Sequence, residues 1–154
     1  GANDNVYYLA AKNKPSPLTD SFGEGYFMQM LAAAKPNLSL KAFLATEQRI
    51  PGLGNGVLQD ILLVARLHPK TKLACLGAAE KQRLFESVKK TLAQMTALGG
   101  RDTEKDLFGR SGGYRTLLCA GTYAAGCPVC GGAVVKEAYM GGSVYYCPVC
   151  QPMA

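Results

Sequence analysis

The chain is poor in several things at once. It holds one histidine, His68, in 154 residues, and 11 acidic residues against 17 basic ones. No apolar run approaches the roughly 18 residues that a membrane-spanning helix needs. No charged-then-apolar start with a cleavage site is visible, so nothing reads as a secretory signal. There is no internal repeat and no low-complexity tract. His68 precedes Pro69 at a helix end and reads as a packed corner residue, not as a base or a metal ligand. The first residue is Gly1, not Met, which leads us to expect a processed or recombinant edge of something longer.

The composition supports a folded chain. Apolar residues reach 48% and charged residues only 18%, which excludes wholesale disorder. A chain of this size buries about 68–70% of its unfolded surface, enough for an ordinary core. The charge surplus is +6, with an isoelectric point near 9.0. Such a surplus suits a polyanionic partner without requiring one.

The six cysteines carry the first sharp signal. Cys127-Pro128-Val129-Cys130 and Cys147-Pro148-Val149-Cys150 are two C-x2-C pairs with sixteen residues between them. That spacing is a zinc signature. Four thiolates close a tetrahedral structural site and leave no open position for a substrate. Two disulfides are the alternative, but disulfide-built secreted domains are shorter and denser in cysteine. A redox C-x2-C would sit beside a βαβ pattern, and none is present. Cys75 and Cys119 stand apart as free thiols. Between the pairs, Ala133–Lys136 and Ser143–Tyr146 read as short strands around a Met140-Gly141-Gly142 turn. So small a hairpin cannot build a core alone, so the metal supplies folding free energy.

Upstream the pattern is helical. Thr19 or Asp20 is expected to cap a helix through Tyr26, Phe27, Met30 and Leu31 to about Ala34. Ser39 reads as the next N-cap, followed by Leu40, Phe43 and Leu44 at helical spacing. A third helix is expected from Asn55, with Leu58, Ile61, Leu62 and Ala65 on one face, and a long fourth from about Gly77 to Leu98. Gly99 to Thr122 mixes six glycines with Arg101, Lys105, Arg110 and Arg115. It reads as a mobile basic loop, with Leu107-Phe108 and Tyr114 as its apolar punctuation. Asp60 and Glu47 lie on helices without a visible acid–base partner, and Lys89-Lys90 reads as a solvated face.

Ile50-Pro51-Gly52-Leu53-Gly54-Asn55 is the second chemical signal. Its glycines permit close backbone approach, and the free N–H groups of the next helix make a ready phosphate site. Asn55 can cap that helix or donate its amide to a phosphate oxygen. An ordinary helix–turn–helix corner would look similar.

Taken together, the two signals resemble the C-terminal half of the formamidopyrimidine-DNA glycosylase and endonuclease VIII family. Leu40-Lys41-Ala42-Phe43-Leu44, Ile50 to Asn55 and Leu67-His68-Pro69 are similar to its helix–two-turn–helix motif. Cys127-Pro128-Val129-Cys130-Gly131 and Tyr145-Tyr146-Cys147-Pro148-Val149-Cys150-Gln151 are similar to its zinc finger. Pro17 to Phe22 resembles the entry into its helical domain, and Gly99 to Tyr114 occupies the place of its lesion-capping loop.

The resemblance implies a mainly α fold, a helix–two-turn–helix bundle followed by a small four-cysteine zinc β-hairpin. Residues 1–17 would be a linker from a catalytic domain, 18–98 the helical domain, 99–122 a flexible basic loop and 123–154 the zinc hairpin. It implies one structural zinc on Cys127, Cys130, Cys147 and Cys150, and a double-stranded, damaged or abasic DNA partner. Gly52, Gly54, Asn55 and Lys136 are the expected DNA-binding residues, on a monomeric protein of the bacterial cytoplasm or nucleoid. The family chemistry uses an N-terminal proline amine, which attacks the sugar C1′ with help from the adjacent glutamate. This chain begins Gly1-Ala2-Asn3, so no catalytic residue is expected within it.

Two departures remove positive charge. Gly142 stands where the family's hairpin carries an arginine, and Ala120-Gly121-Thr122 replaces its usual Tyr-Gly-Arg. Each lost phosphate contact flattens the salt dependence of binding by about 0.9 log units. Lys136 or Arg115 is the expected compensation. A relative that binds nucleic acid without repair chemistry is therefore the second reading. Pro51-Gly52-Leu53-Gly54 also resembles the hairpin of helix–hairpin–helix repair enzymes, but those with an iron–sulfur cluster space their cysteines unevenly. A structural zinc domain for protein contacts is the remaining alternative, and it explains the glycine turn less well.

Overall fold

The structure is a computed structural model that describes residues 14–103 and 109–154. Lys105 and Leu107-Phe108 of the basic segment lie outside the described residues, as do residues 1–13.

Four helices come first: α1 (Glu24–Ala33), α2 (Leu40–Ala45), α3 (Asn55–Ala65) and α4 (Ala78–Ala97). A two-stranded antiparallel sheet follows, β1 (Val135–Tyr139) and β2 (Gly142–Tyr146). The helix α1 starts later than expected. Its N-cap is Gly23, without a side-chain cap, because Thr19 is spent elsewhere. The Thr19 N–H and hydroxyl both donate to the Ser16 carbonyl, and its own carbonyl accepts from the Phe22 N–H, closing a turn. Ser39 does cap α2, accepting from the Ala42 N–H at 3.2 Å.

The helix α3 is the centre of the molecule. Val57 through Leu63 and Ala65 are all buried, so it is enclosed along most of its length, with Val64 exposed near its end. Phe22, Phe27 and Phe43 are fully buried and join the same core, with Phe85 stacked 6.3 Å from Phe22. The long α4 lies against α3 through Leu84, Val88, Leu92 and Met95. Among the described residues no helix is long and apolar enough to cross a membrane.

The strand β1 begins two residues later than expected, at Val135, and β2 one residue earlier, at Gly142. Register pairs Lys136 with Tyr145 and Tyr139 with Gly142. The loop is therefore two residues, Met140 and Gly141, both at positive φ (53° and 78°). This is the left-handed combination whose twist suits a hairpin.

Both faces of the hairpin are engaged. On one, Tyr146 donates to Glu137 at 2.7 Å, Glu137 pairs with Lys70 at 2.9 Å, and the His68 ring lies 4.2 Å from that of Tyr146. On the other, Tyr145, Cys127 and Cys147 form a second small core with Leu63 and Leu118.

Candidate metal centre and nucleic-acid face

The four sulfurs of Cys127, Cys130, Cys147 and Cys150 all lie within 4.8 Å of one another. The Cys127–Cys150 separation is 3.8 Å and the Cys130–Cys147 separation 3.5 Å. A tetrahedral ion with zinc–sulfur bonds of about 2.3 Å sets its sulfurs about 3.8 Å apart, so the donor set fits zinc. These spacings are far beyond a disulfide bond of about 2.05 Å, and all four cysteines are free. Backbone amides point at the sulfurs: Val129 N–H to Cys127 at 3.4 Å, Gly132 N–H to Cys130 at 3.4 Å and Cys150 N–H to Cys147 at 3.5 Å. Such donors orient thiolates and spread their charge. Gln151, fully buried, braces the second knuckle. Its carbonyl oxygen accepts from Cys147 N–H and its amide donates to the Leu67 carbonyl, both at 2.9 Å.

The glycine turn sits at the other end of α3. Gly52 takes φ 83°, and the Leu53 N–H donates back to Ile50 at 3.2 Å. Proline then glycine at the two central positions is what such a turn demands. Gly54, not Asn55, is the N-cap, and it offers no side chain to the helix N–H groups. Asn55 is the first helical residue, and its amide donates to the Ser143 carbonyl of β2 at 3.1 Å. Its Oδ1 is buried without a partner.

The hairpin turn closes over the same place. A cleft of about 240 Å³ is lined by Lys41, Thr46, Asn55, Met140 and Gly142, among others. A Cβ on Gly142 would stand 3.2 Å from the Asn55 amide nitrogen and 3.3 Å from the Lys41 ammonium. Lys41 is a cation that sequence reasoning passed over. It is only 4% exposed, donates to the Tyr139 carbonyl, and its pKa is lowered by burial. The sole hint was its place inside the helix–two-turn–helix block.

The other predicted residues are distributed as follows. Gly52, Gly54 and Asn55 lie together on the turn. Lys136 is in a different cluster, exposed on β1 with its ammonium 5.5 Å above the Tyr123 ring and 5.9 Å above that of Tyr145. Thr122, in the place of an arginine, bonds to the Leu117 carbonyl at 3.0 Å and packs into its own turn.

Asp60, without a partner in the sequence reading, is fully buried and holds three donors. The Tyr114 hydroxyl (2.8 Å) and Leu117 N–H (2.9 Å) meet Oδ2, and Leu118 N–H (2.9 Å) meets Oδ1. Tyr114 in turn bonds through its backbone to Gly100 and Asp102. The described flanks of the glycine-rich segment are thus fastened to α3. Gly112 lies against the Gly100 carbonyl, where no Cβ would fit.

Glu137 gives a pH test of the hairpin's seat. The hydrogen bond from Lys70, then that from Tyr146, lowers its pKa. A depressed carboxylate adds stability that is complete above its unfolded value of about 4.3 and is lost as the pH falls through the folded one. Glu137→Gln is expected to make the acid limb of the stability–pH curve shallower, read by urea unfolding between pH 3 and 6. An unchanged acid limb would count against this contact.

The glycine turn, Lys41 and the hairpin turn meet at one end of α3, and the four-cysteine centre stands at the other end of the hairpin, which makes the class a helical bundle with a four-cysteine hairpin. Comparison with known proteins narrows it. No family model matches the chain. It is 34% identical over 140 residues to the formamidopyrimidine-DNA glycosylase of Carboxydothermus hydrogenoformans, a match covering 89% of this chain and 52% of that protein. The crystal structure of the MutM (Fpg) protein of Thermus thermophilus superposes with a TM-score of 0.78 at 30% identity, covering 92% of this chain and 54% of that one. A Lactococcus lactis Fpg complex with DNA containing an abasic site superposes at 0.81 with 25% identity, covering 98% and 56%. In sequence and fold the chain is a counterpart of the C-terminal half of formamidopyrimidine-DNA glycosylases, and it spans about half the length of the curated relatives it matches.

Proposed function

We propose that this chain is the DNA-gripping half of a base-excision-repair protein and binds duplex DNA at a damaged or abasic site. The observation that carries the reading is the meeting of the Gly52–Asn55 turn, Lys41 and the hairpin turn at one end of α3. The relatives support it, since one of them was solved on DNA with an abasic site. The Gly54 and Asn55 N–H groups of the turn, with the Asn55 side-chain amide, would hold phosphate oxygens, and Lys41 adds a cation to that end. Lys136 is exposed for a further backbone contact. In this reading the helical part 18–98 and the hairpin part 123–154 grip the duplex together, joined by 99–122. Glycosylase and abasic-site lyase chemistry would belong to the complete protein, acting as a monomer in the bacterial cytoplasm.

A second reading, a relative that binds DNA without base removal, is favoured by one observation. Gly142 leaves the hairpin turn without a guanidinium at its closest approach to Asn55.

The test is fluorescence anisotropy of the zinc-loaded chain on a duplex carrying an abasic-site analogue. Binding is expected to weaken steeply with salt. Asn55→Ala should weaken it across sequences, while the Gln59 bond to Ser143 keeps the hairpin seated. Gly142→Arg has room if the tips of Lys41 and Asn55 shift slightly, and should steepen the salt slope by about 0.9 log units. No binding at low salt would overturn the reading.

A further inference from the structure

The far end of the molecule carries a second surface. A groove of about 570 Å³ runs between the end of α3, the start of α4 and both zinc knuckles. Its apolar floor is Val64, Val129, Val149 and Pro152, and its cationic rim is Arg66 and Arg83. Val149 is 74% exposed, Val129 62% and Val64 45%, so three of the seven most exposed large apolar side chains described gather in one place. Clustered exposure of this kind marks a contact surface, whereas single exposed residues do not.

Charge says what would cover it. No carboxylate lines the groove, and its one anionic group is the Cys150 thiolate, which the metal would hold. Among the described residues neither Arg66 nor Arg83 forms an ion pair with a carboxylate. Arg83 directs its Nε to the Ala65 carbonyl at 3.1 Å, which holds its guanidinium at the rim. Arg66 occupies the left-handed C-cap of α3, φ 60°, a position that suits glycine or asparagine better.

The groove is also remote from the DNA face. Nine residues of helix separate Val64 from Asn55, about 14 Å. The knuckles lie at the opposite end of the hairpin from Met140-Gly141. From this placement we infer that the groove docks an acidic peptide segment of a partner protein, with a bulky apolar side chain seated on Val64, Val129 and Val149 and flanking carboxylates on Arg66 and Arg83. A protein bound there leaves the Gly52–Asn55 end free, so partner and DNA occupy the chain together.

The probe is a fluorescein-labelled dodecapeptide with Asp residues flanking a central Leu-Leu-Phe, titrated into the zinc-loaded chain. Its all-Lys analogue is the control. We expect saturable binding that weakens with salt and amide shift changes at Val64, Arg66 and Val149 in NMR spectra. Arg66→Gly suits the cap conformation and so keeps the fold. Combined with Arg83→Gln it is expected to lower peptide affinity at least about tenfold while leaving zinc content and duplex binding unchanged. Val149→Ser should lower affinity with zinc retained. Four results would overturn the inference: no saturable binding, equal binding of the Lys peptide, shift changes centred on Gly52–Asn55, or a concentration-dependent dimer that Val149→Ser abolishes. Loss of duplex binding with peptide binding intact would refute the DNA reading alone.

Discussion

Cys147→Ser, or chelation of the metal, is expected to unfold the zinc hairpin while leaving most of the helical content in place. Two strands of five residues are marginal in water without further support. Structural zinc in finger peptides contributes about 10–16 kcal/mol at neutral pH, far more than the hairpin's other attachments. Those attachments include the Gln59 bonds, the Asn55–Ser143, Lys41–Tyr139 and Gln151–Leu67 bonds, the Lys70–Glu137 pair and a small apolar seat around Leu63 and Leu118. Cys147 is fully buried, so its loss also opens that seat. Hydrogen exchange should show fast exchange across Val135–Tyr146 with protection kept in α3 and α4. Retention of hairpin protection in the metal-free chain would show that packing alone suffices. Acid should act in the same direction, because protonating the thiolates releases the ion.

The second large effect is expected at Asp60. Asp60→Ala strips the acceptor from the Tyr114 hydroxyl and from two buried N–H groups at once. Each stranded donor costs about 1–3 kcal/mol, so a loss of roughly 3–9 kcal/mol is expected for the three. Against a typical total of about 5–15 kcal/mol, that is a large share. Asp60→Asn keeps one carbonyl oxygen and should cost less, which separates lost hydrogen bonds from lost volume. Denaturant unfolding of the two variants checks the order; equal and small losses would remove Asp60 from this role. Its pH behaviour runs opposite to that of Glu137. Burial pushes the carboxyl up, with the Leu117, Leu118 and Tyr114 donors pulling against it. A raised folded pKa means that stability falls as the pH climbs from the unfolded value of about 3.9 through the folded one. Asp60→Asn should therefore abolish that decline.

What could be read from the sequence was local. The C-x2-C spacing is a property of one knuckle, and it located the metal site. The Ser39 cap and the Pro51-Gly52 turn involve partners within four residues, and both appear where expected. The apolar face of α3 (Leu58, Ile61, Leu62 and Ala65) and the stripe of α4 follow from apolar periodicity, whereas the burial of Gln59 and Asp60 does not. What escaped was long-range. Asp60 meets donors 54 to 58 positions away, Gln59 meets β2 at a separation of 84 to 86, and Lys41 meets Tyr139 at 98. No spacing rule reaches so far, so the partners of the buried Lys41 and Asp60 were not legible. The start of α1 failed for a different reason. Thr19 and Asp20 are good caps by type, but the Ser16–Phe22 turn had already claimed Thr19.

Gln59 has one more consequence. Its carboxamide receives the Tyr145 N–H and donates to the Ser143 carbonyl, at 3.0 and 3.1 Å. Those are two ladder groups of β2 on alternate residues, and one side chain reads them as a neighbouring strand would. An open strand edge invites pairing with another chain, and thereby aggregation. Here a glutamine on a helix, 2% exposed, stands in for the missing third strand, with Asn55 beside it on the Ser143 carbonyl. The hairpin is thereby sealed against strand addition along that side, at no cost in extra chain length.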